Sequence, residues 1–175
     1  MIPHTLNKER PLNKWKESSE VKILLTVEEA TLAMQVALLR QRDALVQGRR
    51  ETFDPNKTWK DGLDVHWYGV CAEIAVARFL DLYCPLHVNQ YKGMAADIGK
   101  NIEVRWTRNE SNGLVIRPDD PDDRWYYLVV GEPLELTVVG LIQGKEGKNE
   151  FWKKDPGNRG REAYFVPASE LAAPN

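Results

Sequence analysis

Long hydrophobic runs, cysteine and an excess of one charge are all scarce in this sequence. The longest uncharged apolar stretches are Tyr126 to Val130 and Leu136 to Ile142. Both fall far short of the roughly 20 residues needed to span a bilayer, so a membrane protein is not expected. Two cysteines, Cys71 and Cys84, are too few for a disulfide framework, and a reducing cytoplasm is the expected compartment. The opening stretch MIPHTLNKERPLNK has no apolar core of the signal-peptide kind. No internal repeat and no low-complexity tract is seen. What remains is 175 residues, 42% apolar and 29% charged, enough for one domain with its own core.

The net charge of −2 gives no bulk attraction to nucleic acid, but the charges are unevenly placed. Residues 1–60 balance at +3, residues 61–142 at −6 and residues 143–175 at +1. An acidic middle between basic flanks suits a protein that gathers carboxylates around a cation and holds phosphates beside them.

Residues 1–25 read as an N-terminal arm and residues 26–175 as a single domain, with Val21 to Leu25 either a short strand or an approach to a helix. Thr26-Val-Glu-Glu29 is a capping box, and the Ala- and Leu-rich stretch behind it predicts a helix ending at Gly48. A second helix is expected from Asp64 to about Leu82, where Val70, Ile74, Ala77 and Leu80 recur at helical spacing. After Pro85 the period becomes two. Strands are expected at Leu86 to Tyr91, Asn101 to Thr107, Leu114 to Arg117, Trp125 to Val130, Leu134 to Ile142 and Ala163 to Val166. Residues 143–162 read as irregular, with a helical turn near Phe151. The expected class is α/β, a central mixed β-sheet flanked by the two helices.

The informative constellation is Asp97-Ile-Gly-Lys-Asn-Ile-Glu103-Val-Arg105, with Glu73 upstream. Glu103 and Arg105 share one side of a strand, and Gly99 permits a tight turn that brings Asp97 alongside. Glu73 sits among Cys71, Ala72, Ile74, Ala75 and Val76, so its carboxylate needs a partner or a metal. Carboxylates converging beside a cationic side chain are the donor set for Mg²⁺ or Mn²⁺. The alternative for Glu103 and Arg105 is a solvated ion pair on an exposed face.

Gly69-Val-Cys-Ala-Glu73-Ile-Ala-Val-Ala-Arg-Phe-Leu80, then Asp97, then Glu103-Val-Arg105 resembles the PD-(D/E)xK restriction-endonuclease-like superfamily. It is most similar to the small stand-alone members common in bacteriophages. The resemblance covers roughly residues 64–142. It implies a restriction-endonuclease-like core and Mg²⁺-dependent hydrolysis of DNA. Asp97 and Glu103 would hold the metal, Glu73 would assist, and Arg105 would stand at the family's Lys position. Arg keeps its proton at working pH and cannot take one from water, although it can stabilise charge on a phosphate. The resemblance therefore carries an alternative: a catalytically inactive nuclease-fold protein that binds nucleic acid or a host protein. A third reading is an assembly subunit that self-associates through the long first helix, as a homodimer for instance.

Lys100 in the turn before the strand, and Lys145, Lys148, Lys153, Lys154, Arg159 and Arg161 near Phe151 and Trp152, are candidate DNA contacts. The alternative is a solvated loop, since Glu146, Glu150, Asp155 and Glu162 dilute the charge. His66, Tyr91 and Lys92 are weaker candidates for the same task. Zinc is disfavoured because no C-x₂-C pair exists. The Asp119-Asp-Pro-Asp-Asp123 turn lacks the rest of an EF-hand loop. Gly144 to Lys148 is not a P-loop.

Overall fold

A computed structural model describes residues 20–48, 58–88, 95–158 and 160–174. In chain order the elements are β1 (Val21–Leu24), α1 (Val27–Val46), α2 (Trp59–Phe79), β2 (Ile102–Thr107), β3 (Leu114–Ile116), β4 (Trp125–Glu132), β5 (Glu135–Gln143), α3 (Gly144–Gly147), β6 (Lys153–Lys154) and β7 (Ala163–Val166).

The two long helices start at capping boxes. The Glu29 amide donates to Thr26 Oγ1 at 3.2 Å, and the Thr26 amide to Glu29 Oε2 at 2.8 Å. Thr58 and Asp61 do the same for α2, with the Thr58 amide 2.7 Å from Asp61 Oδ2. The second helix therefore starts at Trp59, five residues before the expected Asp64, and its last helical residue is Phe79. Gly62 lies in its first turns and weakens the helical signal there. Its role is spatial: a Cβ at Gly62 would sit 2.8 Å from Gln41 Nε2, so glycine makes room for the Gln41 amide where it donates to the Trp59 carbonyl.

Four strands form a mixed sheet in the order β1-β5-β4-β2. β1 and β4 pair antiparallel with β5, while β2 runs parallel to β4. Residues 21–24, placed within the expected arm, thus form an edge of this sheet. A second, antiparallel sheet has the order β3-β7-β6. The expected single sheet is in fact two, because β3 leaves the connection between β2 and β4 to pair with β7.

Each sheet face has its own core. Val70, Ile74, Ala75 and Val76 of α2 pack with Val104, Tyr127, Val129, Leu136 and Val138. On the other face Tyr126, Leu128, Val139 and Ile142 meet Leu114, Ile116, Trp152, Tyr164 and Val166. Burial on both faces explains the nearly unbroken apolar run of β4. In β5 the register shifts where Leu128 pairs Gly140 but Val129 pairs Val138. That bulge changes the parity: Leu136 and Val138 face the helices, whereas Ile142 faces the small sheet.

The strand expected at Leu86 to Tyr91 is not formed by its described part. Residues 82–88 are irregular, and Leu86 has φ 48°. Tyr91 and Lys92 lie outside the described residues. The Gly-rich stretch after β5 holds the short helix α3, where only irregular chain was expected, and a 3-10 turn at Glu150–Trp152 matches the expected turn near Phe151.

Gly131, the last residue but one of β4, has φ 116°, and a Cβ there would lie 2.4 Å from the Glu135 carbonyl oxygen. Its own carbonyl accepts the Trp106 indole at 2.9 Å. Gly131→Ala is expected to cost about 1–3 kcal/mol, read as a lowered midpoint in thermal or urea unfolding. An unchanged midpoint would mean that the β4–β5 corner is not held as described.

Candidate functional site

The turn after Asp97 closes through a pair of backbone bonds between Ile98 and Ile102, at 3.2 and 3.3 Å, with Gly99 at φ 59°. This lays Asp97 against β2. Its Oδ2 accepts the Val104 amide at 2.8 Å, serving the free side of an edge strand. Glu103 and Arg105 project from the same side of β2, as the strand period requires. Arg105 Nη1 is 3.1 Å from Glu103 Oε2, and Arg124 Nη1 donates to Glu103 Oε1.

Arg105 is shared more widely. Its Nη2 donates to Asp120 Oδ2 at 3.0 Å, and its Nε and Nη1 reach the carbonyls of Val115 and Val104 at 3.3 and 3.4 Å. The guanidinium carbon stands 5.2 Å from the centre of the Tyr126 ring. The ion pair expected as an alternative is present, but Glu103 is buried at 8% exposure, so it is no solvated surface pair.

Glu73 lies on the buried face of α2 at 6% exposure. Arg40 of α1 meets it in a bidentate pair, at 2.6 and 2.8 Å. The same guanidinium donates through Nε to the His87 carbonyl at 2.7 Å. Sequence reasoning missed Arg40 and Arg124. The expensive burial of Glu73 did signal that some cation was required.

The charges sense one another. Burial raises the Glu73 carboxyl to about 7; Arg40 opposes this, while Asp97 and Glu103 add to it. Burial also raises Glu103, with Asp97 adding and Arg105 and Arg124 opposing. Burial works against the charge on Arg105, but Asp120, Glu103 and Asp97 outweigh it and fix the guanidinium as a cation. Glu73 with Arg40, and Glu103 with Arg105 and Arg124, are thus two bonded groups, and Asp97 acts on both carboxyls through space.

These groups do not fit the expected Mg²⁺ or Mn²⁺ as they stand. Both oxygens of Glu73 and both of Glu103 face arginines, and one oxygen of Asp97 is taken by an amide. Among the described residues no group of three or more His, Cys, Asp or Glu side chains is placed to hold a metal. Arginine already supplies the positive charge that a divalent ion would bring. The Cys71 and Cys84 thiols are free, and burial raises them to about 12 and about 11, which keeps both protonated.

The basic flank divides. Lys148 turns inward, donating to the carbonyls of Pro118 (3.0 Å) and Asp120 and to Asp122 Oδ1 (2.6 Å). Lys153 pairs with Glu162 at 3.0 Å. Lys100, Lys145, Lys154 and Arg161 are exposed, and Arg159 lies outside the described residues. Beside the free edge of β2 runs a groove of about 630 Å³ that the sequence did not announce. Arg105, Arg108, Asn112 and Arg117 line it, with Asp61 and Asp64 of α2 opposite and Tyr68 and Trp106 between. The rings of Tyr68 and Trp106 meet at a tilt of 41° with their centres 4.3 Å apart, and Arg108 lies over the Tyr68 ring at 5.8 Å.

No known family, curated protein or solved structure matches the chain. Among the described residues no helix is long and apolar enough to cross a membrane.

A carboxyl raised on folding binds its proton more tightly in the folded state. Its contribution is full below the unfolded pKa, near 4.3, and is lost as pH rises through the folded value. Wild type should therefore lose stability relative to Glu73→Gln between pH 4.5 and 7.5, by about 3 kcal/mol. Paired urea titrations across that range measure the slope. A difference that grows with pH would mean that Arg40 overrides burial and holds Glu73 ionised throughout.

Proposed function

We propose that this chain is a nucleic-acid-binding protein on a PD-(D/E)xK-like plan that no longer hydrolyses its ligand. The observation that carries the reading is the saturation of Glu73 and Glu103 by Arg40, Arg105 and Arg124. The groove along β2 supports the binding half. Arg108 and Arg117 offer exposed cations at its rim, and the half-buried Trp106 offers aromatic surface beside the buried Tyr68. Cations beside aromatics are the usual means of holding a nucleic-acid strand. Lys100, Lys145 and Lys154 add exposed charge elsewhere.

Metal-dependent cleavage of DNA is the second reading, and Asp97 favours it. This carboxylate has no ion pair among the described residues, yet it raises both Glu73 and Glu103. Of the three it is the one most available to a cation.

The test uses labelled single- and double-stranded DNA and RNA oligonucleotides, with Mg²⁺ or Mn²⁺ and without. The expected outcome is saturable binding that weakens with salt, and no cleavage. Arg108→Ala and Arg117→Ala should each weaken binding to all sequences alike and lower the salt slope by about one. Metal-dependent cleavage that disappears in Asp97→Ala would overturn the inactive reading in favour of the nuclease. No binding at low salt would remove nucleic acid altogether and leave a protein partner.

A further inference from the structure

The outward face of α1 is apolar where a solvated helix should be polar. Leu32, Leu38, Leu39, Leu45 and Val46 are 44% to 77% exposed. At about 100° per residue they fall within roughly 140° of the helix circumference. The opposite side carries Ala30, Ala33, Val36, Ala37 and Gln41, which are buried against the rest of the fold. Exposed leucines on both flanks of a helix face are the kind of surface that a helix–helix contact covers.

We propose that this face binds a second copy of the chain, α1 against α1 in antiparallel orientation, about a two-fold axis near Gln35. The charges set the orientation. Glu28, Gln35 and Arg42 are the exposed polar residues running down the stripe, with Thr31 between them. Glu28 and Arg42 stand about 21 Å apart along one helix, too far to pair with each other. Neither has an ion pair among the described residues. About an axis at Gln35, Glu28 meets Arg42 of the other copy, Leu32 meets Leu39 along one flank, and Leu38 meets Thr31 along the other. Gln35 meets its own counterpart, whose amide can both give and accept a hydrogen bond. The parallel arrangement would set Glu28 against Glu28 and Arg42 against Arg42. A two-fold makes every such contact twice.

Sedimentation equilibrium of the full chain, from 1 to 100 µM, tests this. A dimer is expected for wild type. Leu39→Glu should yield a monomer with unchanged circular dichroism, because Leu39 is not part of the core. Glu28→Arg and Arg42→Glu should each weaken dimerisation by at least tenfold, and the double variant should recover most of the loss. A monomeric wild type at 100 µM would overturn the proposal. So would a dimer that survives Leu39→Glu, or a double variant no stronger than the singles. Oligonucleotide binding takes no part in these readouts, so they stand apart from the function proposed above.

Discussion

The ion pair between Arg40 and Glu73 is the contact on which the arrangement of this molecule turns. Glu73 lies where α2 faces both α1 and the sheet, out of water. An ionised carboxylate at such a place is costly by several kcal/mol unless it is fully hydrogen-bonded. Only a guanidinium can meet both oxygens in one plane and keep a donor in reserve. Arg40 spends that reserve on the His87 carbonyl, so one side chain joins α1, α2 and the irregular segment after α2. The next residue of α1, Gln41, donates to the Trp59 carbonyl beside Gly62. The register of the two helices is thus fixed by two adjacent polar contacts on a largely alanine face.

The same economy runs through the rest of the acidic middle. Glu103 lies between Arg105 and Arg124, and Asp120 closes the far side of Arg105. Arg124 also reaches the Ala95 carbonyl, next to the turn that carries Asp97. Three carboxylates of residues 61–142, Glu73, Glu103 and Asp120, are thus held by three arginines, while most of the other acidic side chains there are exposed. Such a network resists dissection. Removing Arg40 would leave the buried Glu73 without its cation, and removing Arg105 would leave Asp120 without one, so the loss would exceed the value of the contact itself.

Much of this was legible locally. The capping box at Thr26, the alternation of Ile102, Val104 and Trp106, and the turn at Gly99 each follow from a few neighbouring residues. So does the demand that Glu73 find a partner, since its neighbours are small or apolar. The identity of that partner is not a local property: Arg40 lies 33 residues away and has nothing in its own surroundings to distinguish it. The early start of α2 was hidden by Gly62, whose reason is contact with another helix. The second sheet was hidden because β3, β6 and β7 are two to four residues long and meet only through distant pairing. The bulge in β5 is likewise invisible in a run whose residues are apolar on both faces.

Arg105 shows why local resemblance and structural role can part. At the position where the nuclease pattern places lysine, this chain needs something lysine cannot do. Four acceptors surround the group: Glu103, Asp120 and the carbonyls of Val104 and Val115. They come from β2, from β3 and from the turn after it, so the side chain ties the edge of the large sheet to the small one. A guanidinium spreads five donors over a rigid plane and can serve all four, whereas an ammonium offers three from a single point. The Asp120 carboxylate that holds Arg105 also accepts the Arg117 amide at 2.8 Å, which shapes the turn at the groove's rim. The guanidinium that clamps the two sheets together thus also stands in the wall of the groove.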